Sequence, residues 1–260
     1  MKRFSWLVVI GLLLSIFVAA CVATDLPSGE AEPSPSAIRI GMGVNMPPFE
    51  LVNVYTGGLE GFDVDLIEAI AEEAGLEIEI IESDFTLLQT LVGQCEFDAA
   101  ISSIPISEGL KQRMYFSDPY FYTDHSLVVK EGNIVIAGID TLSGMRVSTQ
   151  AGSPSELELM KFTDIQAETN GTFRAAFQGL VTGYVDAVIA DTPRAERYAN
   201  IKPYNLKVVG EPFGDSVSYG IAVCQEQPEL LEKINEGLRI VTENGTLKRL
   251  TRKWITNNFQ

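Results

Sequence analysis

The chain has few of the residues on which enzymes and metal sites most often depend. Its 260 residues include one histidine, His125, and three cysteines. We find no cluster of metal-ligating residues, no glycine-rich phosphate loop and no Ser/His/Asp arrangement in a recognisable setting. A lone histidine is more often structural than catalytic. The sequence therefore predicts a protein without cofactor, metal or catalytic residue.

Basic charge is also scarce. Lysine and arginine number 19 against 35 acidic residues, which gives a formal net charge of -16. Lys2 and Arg3 lie in a segment that we expect to be removed, and losing these two positive charges from -16 leaves -18. The absence of a basic patch excludes nucleic acid as an expected partner. The simplest interpretation of the acidity is solubility.

The first residues predict export. Residues 4–20 follow a basic start, carry no charge and are rich in Leu, Ile and Val. This stretch is too short and too early for a permanent span and fits the core of a secretory signal. It ends in Val-Ala-Ala-Cys, which resembles the lipobox of bacterial lipoproteins and predicts acylation of Cys21. The alternative is an ordinary signal or anchor helix that happens to contain a cysteine.

A tether and a folded part follow Cys21. Residues 22–36 are rich in Pro, Ser, Gly and Glu, a composition typical of a flexible linker. The folded part then runs from Ala37 to Gln260, a length that suits one two-lobed unit or two small domains.

The hydrophobic pattern predicts an α/β fold built from two similar halves. The first half reads β-α-β-α-β, which implies a parallel sheet with helices on its faces. The pattern then restarts, and its last elements return to the first half. Two lobes joined by two crossings would enclose a cleft, because ligands bind at the carboxyl ends of strands in open α/β sheets. The predicted strands are 38–44, 77–81, 97–103, 127–130, 145–149, 185–190 and 220–223, and the predicted helices are 63–74, 86–92, 155–162, 173–182, 228–243 and 247–254.

Several short motifs resemble those of the family 3 bacterial extracellular solute-binding proteins of the polar amino-acid type. Residues 61–66, GFDVDL, resemble a signature of that family. The order and spacing of the other motifs agree with it over nearly all of the folded chain. They are MPPFE at 46–50, FDAA at 97–100, YFSDPY at 115–120, VDAV at 185–188, DTP at 191–193, ENGT at 243–246 and KW at 253–254.

This resemblance implies a two-lobed, type II periplasmic-binding-protein fold. Lobe one would comprise residues 37–119 and 220–260, and lobe two residues 125–213, with crossings at 120–124 and 214–219. Closure of the lobes around a small polar solute would be the signal that the membrane subunits of an ABC importer read. The expected protein is a monomer, lipid-anchored at the outer face of the cell membrane or in the periplasm.

The resemblance also implies a disulfide between Cys95 and Cys224. In this family the returning strand, 220–223, should lie antiparallel beside 97–103. Cys95 precedes one of these strands and Cys224 follows the other, so both would lie at the end away from the cleft. Two cysteines remain after lipidation of an exported protein, and such a pair permits one disulfide.

Eight residues are predicted to contact the solute. Asp191 follows a buried strand and matches the family position that binds an amine, although it could instead cap the next segment. Phe85 matches an aromatic residue that packs on the solute, although it could be a core residue. The others lie at strand ends or near them: Asn45, Met46, Ser103, Gln150, Ser153 and, as described next, Arg113.

Three departures from the family concern the solute's carboxylate. Leu110 stands where relatives have an arginine, and Pro105 and Pro154 stand where they offer backbone N–H groups, which proline lacks. Arg113 could reach back, but an arginine there is more often solvated. We therefore expect a cationic or amine-bearing solute without an ordinary α-carboxylate, or an amino acid held in a changed pose by Arg113. The alternative is a standard amino-acid binder whose loops are misaligned here by a residue or two.

Two other functions stay open on the sequence. The same fold hosts a few dehydratases, so the fold alone does not exclude an enzyme. A binding module of this kind can also report its solute to a receptor as a sensor.

Overall fold

The computed structural model of the protein describes residues 37–44 and 46–256. The predicted signal, Cys21, the tether and Asn45 lie outside these residues. Within the described part, no helix combines the length and the apolar character that crossing a membrane requires.

The described chain contains twelve strands and eight α-helices. The strands are β1 Ile38–Met42, β2 Leu51–Val52, β3 Leu59–Glu60, β4 Ile78–Glu82, β5 Ala99–Ala100, β6 Tyr115–Phe116, β7 Phe121–Lys130, β8 Arg146–Gln150, β9 Gln166–Asn170, β10 Ala187–Asp191, β11 Leu206–Tyr219 and β12 Ala222–Val223. The helices are α1 Phe62–Ala74, α2 Phe85–Gly93, α3 Glu108–Lys111, α4 Pro154–Leu159, α5 Phe173–Thr182, α6 Thr192–Ala199, α7 Pro228–Glu243 and α8 Thr246–Thr251.

Two five-stranded sheets organise the fold, as the α/β prediction requires. The first sheet has the order β4-β1-β5-β12-β6, and the second has the order β11-β7-β10-β8-β9. In the first, β1 runs parallel to β4 and β5, whereas β12 is antiparallel to β5. In the second, β8 is parallel to β9 and β10, and β7 is antiparallel to β10. We call the parts that carry these sheets the first half and the second half; the finer lobe boundaries remain a prediction.

Helix α1 illustrates how the sequence specifies its own packing. Leu66, Ile67 and Ile70 recur at helical spacing and are buried in the core of the first half. The helix ends at Gly75, which adopts the left-handed conformation with φ 62°. Helix α7 packs across α1, and a Cβ on Gly237 would approach the Ile70 carbonyl oxygen to 2.7 Å. Glycine is therefore required at 237 for this close helix contact.

The two crossings are the paired ends of long strands. At the start of β7 and the end of β11, Phe121 lies opposite Tyr219 and Thr123 opposite Val217 in antiparallel register. We name this pairing of residues 121–123 with 217–219 the crossing ribbon. It makes both connections between the halves part of one hydrogen-bonded structure.

The predicted strand 97–103 is wrong in length, because only β5 remains of it. The backbone N–H of Ser103 donates to Asp63 Oδ2 at 2.7 Å, and Ser103 has a φ of 45°, which no strand allows. The sequence prediction also missed seven elements, namely β2, β3, β6, β9, β11, α3 and α6. Strand β9 is rich in polar residues, α6 is short and rich in charged residues, and β11 contains two irregularities that break its alternation.

Candidate functional site

Asp191 ends strand β10 and begins helix α6. Its side chain is buried, and Oδ1 accepts a hydrogen bond from the backbone N–H of Arg194 at 3.1 Å. Oδ2 is paired with the Nη1 of the same arginine. Asp191 therefore caps α6, which was the structural alternative, and it also faces a cation.

Arg194 fills the space between the two halves. It is 2 % exposed, and its Nη2 donates to Ser103 Oγ in the first half at 2.9 Å. Its Cζ lies 5.0 Å from the ring centroid of Phe49 and 4.6 Å from that of Phe173. Both distances are typical of cation–π contacts. The guanidinium is thus held between two rings, one from each half.

Sequence reasoning missed Arg194 and both rings. The available signal was the spacing, because a residue three positions after Asp191 lies on the same side of the first turn of the helix. The sequence does not show that Phe49 and Phe173, far apart in the chain, meet at this point.

Two more carboxyl groups lie beside the guanidinium. Glu50 and Asp63 are fully buried; Ser102 Oγ donates to Glu50 Oε1, and Asp63 accepts the Ser103 N–H. Burial, followed by the charge of Asp63, raises the pKa of Glu50 well above its usual value. Burial also raises the pKa of Asp63, to about 7, although the Ser103 N–H opposes this rise.

A shared proton accounts for two polar atoms that otherwise have no partner. Within the described residues, Glu50 Oε2 and Asp63 Oδ1 make no hydrogen bond if both groups are ionised. The pKa of Glu50 is raised and that of Asp63 lowered by a hydrogen bond between the two side chains. One proton held between the two carboxyl groups would satisfy both atoms. The charge of Arg194 lowers both pKa values, which indicates that this pair also faces the guanidinium.

Phe85 and Met46 form an apolar wall of the first half. Both are buried in one cluster, which also contains Leu110. A Cβ on Gly152 in the second half would lie 3.9 Å from Phe85 Cε1, so the loop after β8 approaches the phenylalanine closely. Phe85 is therefore both a core residue and a residue at the contact between the halves.

The side chains of Gln150 and Ser153 form hydrogen bonds with the backbone of the second half. Gln150 Oε1 accepts from the Phe173 backbone N–H at 2.9 Å, and Ser153 Oγ donates to the Gln150 carbonyl oxygen at 2.7 Å. Gln150 thus positions the ring that contacts Arg194. Their predicted role as direct solute contacts remains a prediction.

The structure does not bring Arg113 to the other predicted residues. Arg113 is exposed and lies beside Gly93, at the end of α2 opposite Phe85. Nine helical residues separate these ends by about 12 Å. The hypothesis that Arg113 reaches back to replace the missing arginine is therefore not supported by its position. Leu110 is buried among apolar side chains and Pro154 is the first residue of α4.

His125 has a structural environment. It is buried on β7 opposite Asp191, and its Nδ1 lies 3.0 Å from Ser155 Oγ. Burial lowers the pKa of His125 below its usual value. Among the described residues, no group of three or more His, Cys, Asp and Glu could hold a metal ion.

A disulfide joins Cys95 and Cys224, with 5.2 Å between the Cα atoms. Strand β12 lies antiparallel to β5, with Val223 opposite Ala99, and this places the two cysteines side by side. A separate groove of about 710 Å³ lies on the second half, lined by residues such as Lys130 and Tyr204. None of the predicted solute-binding residues lines it, so we regard the space around Arg194 as the site.

Comparison with known proteins identifies the family of the chain. Residues 38–257 match the family described as bacterial extracellular solute-binding proteins, family 3. The arginine-binding extracellular protein ArtP of Bacillus subtilis (strain 168) is 29% identical over 254 residues, which cover 94% of this chain and 97% of that protein.

Two solved structures extend the comparison. An ancestral arginine-binding protein bound to glutamine is 36% identical with a TM-score of 0.79, over 85% of this chain and 98% of that one. The ancestral amino acid-binding protein AncCDT-1, a precursor of cyclohexadienyl dehydratase, is 29% identical with a TM-score of 0.78, over 84% and 95% of the two chains. These similarities confirm the two-lobed fold, and the chain belongs to the bacterial extracellular solute-binding proteins of family 3.

Proposed function

We propose that this protein binds a small cationic solute, bearing a guanidinium or amine group, between its two halves and delivers it to an ABC importer. The observation that carries the proposal is the guanidinium of Arg194, seated against Asp191 between the rings of Phe49 and Phe173. A site that holds the protein's own guanidinium in this way has the chemistry to hold that of a solute.

The charges around the site support a cation. One guanidinium faces three carboxyl groups, those of Asp191, Glu50 and Asp63. A carboxylate–cation pair is a strong, charge-assisted hydrogen bond, and the aromatic rings add a cation–π attraction. Burial is the main cause of the raised pKa values of Glu50 and Asp63, and the charge of Arg194 lowers both, as the charge of a bound cation would.

The departures from the family pattern disfavour a free α-carboxylate. Leu110 offers an apolar side chain, and Pro105 and Pro154 offer no N–H. A carboxylate without partners in a closed, dry site costs several kcal/mol. That loss is comparable to the difference between micromolar and millimolar binding, about 4 kcal/mol. We therefore propose that the solute lacks an ordinary α-carboxylate, although the relatives named above include arginine-binding proteins.

Calorimetric titration tests this choice. Arginine and lysine would be compared with agmatine and cadaverine, which differ from them only by the carboxylate. We expect the decarboxylated compounds to bind at least tenfold more tightly. Equal or tighter binding of the amino acids would contradict the proposal and support a standard amino-acid binder.

A substitution locates the site. Asp191→Asn should weaken binding of the preferred cation at least tenfold, because it removes the charge that the solute pairs with. Asp215→Asn is the matched control, since Asp215 lies in the same half and its side chain is 93% exposed. Equal affinities of the two variants would place the solute elsewhere.

We further propose that Cys21 is acylated and that residues 22–36 tether a monomeric binding domain to the membrane. The support is the sequence alone, namely the apolar run that ends in Val-Ala-Ala-Cys. Growth of cells with a fatty-acid probe should label the protein, and Cys21→Ala should abolish the label. Equal labelling of both proteins would contradict acylation at this residue.

We also propose that the protein binds without chemical turnover. His125 is engaged with Ser155, and the buried carboxyl groups are engaged with one another or with Arg194. A bound cation should therefore be recovered unchanged after long incubation. Because of the similarity to AncCDT-1, a carboxylated cyclohexadienyl compound should be included, and its steady conversion would identify an enzyme.

A further inference from the structure

Arg194 joins the two halves through one side chain. Asp191 and Phe173, on one side of the guanidinium, belong to the second half, as does Arg194 itself. Ser103 and Phe49, on the other side, belong to the first half. Separation of the halves would therefore break the contacts with Ser103 and Phe49 and leave those with Asp191 and Phe173 in place.

The contacts with the first half are of the kind that a solute would make. The guanidinium donates to a buried hydroxyl and lies near an aromatic ring, while the Nε of Arg194 finds no hydrogen-bond partner within the described residues. Glu50 and Asp63 also lie close enough for the arginine's charge to act on them. Arg194 thus lies in an acidic, aromatic space in which its own Nε makes no hydrogen bond within the described residues.

We propose that Arg194 is a tethered stand-in for the solute: it draws the halves together in the empty protein, and a solute binds only by displacing its guanidinium. This inference rests on the proposed cationic solute. The proposed function concerns which solute binds, whereas this inference assigns to Arg194 the role of an internal competitor for the same space.

Two consequences follow from the competition. The apparent affinity is reduced by the fraction of molecules in which Arg194 occupies the site, so removal of the competitor tightens binding. A planar guanidinium between two rings is also replaced best by another planar cation. Agmatine should therefore bind more tightly than cadaverine, and removal of Arg194 should tighten the binding of both by the same factor.

The test compares Arg194→Met with the wild-type protein. Methionine keeps much of the side-chain volume and removes the charge and all donors. We expect two changes together: a larger radius of gyration without solute, measured by small-angle X-ray scattering, and at least tenfold tighter binding of agmatine. Arg197→Met, which makes the same change on the same helix at a half-buried position, should change neither.

The other outcomes overturn the proposal. Weaker binding by Arg194→Met would make the arginine a partner of the solute, for example of its carboxylate. Unchanged binding, or an expansion of the empty protein without tighter binding, would make it a structural arginine only. If Arg194→Met does not fold, Ser103→Ala removes only the hydroxyl that accepts from Nη2, and it should give a smaller change in the same two measurements.

The two proposals fail separately. If no cation binds to the wild-type protein or to any variant, the cationic solute is wrong, while the scattering measurement still shows whether Arg194 draws the halves together. If agmatine binds equally to the wild-type protein and Arg194→Met, the cationic solute stands and the competition is wrong.

Discussion

In each half, an arginine and an aspartate hold the connection between a helix and the next strand. In the first half the backbone N–H and Nε of Arg39 donate to Asp98 Oδ2 at 2.8 and 3.2 Å. In the second half Arg146 does the same to Asp186 Oδ2, at 3.0 Å for both bonds. Each arginine begins a strand or lies near its start, and each aspartate shortly precedes the neighbouring strand. The repeated arrangement holds the connection that leads into the central strand, β5 or β10, against the neighbouring strand, β1 or β8.

The halves differ at the residue three positions before the aspartate. Arg39 Nη2 donates to the carbonyl oxygen of Cys95, and Arg146 Nη2 to that of Gly183. Both residues are left-handed, with φ 58° and 83°. Glycine adopts this conformation readily, whereas a Cβ makes it unfavourable. Cys95 adopts this unfavourable conformation in the first half, whose last strand, β12, comes from a distant part of the chain. Its disulfide with Cys224 holds the end of that strand in place.

The disulfide should provide the largest measurable difference between the halves. It links residues 129 positions apart, and its removal by Cys95→Ala with Cys224→Ala should lower the free energy of unfolding by about 2–4 kcal/mol. Urea unfolding of the oxidised protein and this variant measures the change. The wild-type protein under reducing conditions is the control. An unchanged midpoint would show that the second half, without a disulfide, limits the stability of both.

Opposite pH responses should distinguish a carboxyl group of each half. The folded pKa of Asp63 is raised by burial to about 7, so the folded state binds more protons than the unfolded state between about pH 4 and pH 7. Stability therefore falls as pH rises through this window, by about 2 kcal/mol from pH 5 to pH 7 for this group. Asp63→Asn should make the slope smaller, and the remainder should come from Glu50, whose pKa burial also raises. Chemical unfolding at several pH values measures both contributions.

Asp186 provides the matched control in the second half. The hydrogen bond from Arg146 lowers its pKa, so its contribution is present above the unfolded pKa and is lost only as pH falls below about 4. Asp186→Asn should therefore leave the slope between pH 5 and pH 7 unchanged. An equal change in slope for both variants would contradict the assignment to Asp63.

The smallest prediction concerns the left-handed residue itself. In a disulfide-free background, Cys95→Gly with Cys224→Ala should be more stable than the double alanine variant by about 1 kcal/mol. In the second half, the reverse substitution Gly183→Ala should lower the free energy of unfolding by a similar amount. Urea midpoints measure both. If glycine gives no gain at position 95, the two turns are not equivalent.

Much of the fold could be predicted because the local sequence of each periodic element specifies its structure. Helices α5 and α7 have the predicted bounds, since their apolar residues recur at helical spacing and clear signals mark their ends. Strand β11 could not be predicted, because glycines at 210 and 214 and two register shifts interrupt its alternation. Its pairing depends on β7, which the local sequence does not reveal.

The site was predictable only in part. Asp191 was predicted because it follows a buried strand, and its contact with a solute stays a prediction. Its partner Arg194 became significant only through Phe49 and Phe173, which the fold brings together. The prediction for Arg113 rested on its spacing of one helical turn from Leu110, and that spacing gives no direction relative to the sheet. The structure shows that this arginine lies at the far end of α2.

The crossing ribbon has a mechanical consequence for any protein of this shape. Two independent covalent joints would let the halves twist, slide and rock against each other. Here Phe121 pairs with Tyr219 and Thr123 with Val217, so sliding one connection along the other would break their hydrogen bonds. Flexing across the face of the ribbon preserves those bonds and therefore costs the least free energy. The pairing therefore favours this flexing over the other relative motions of the two halves.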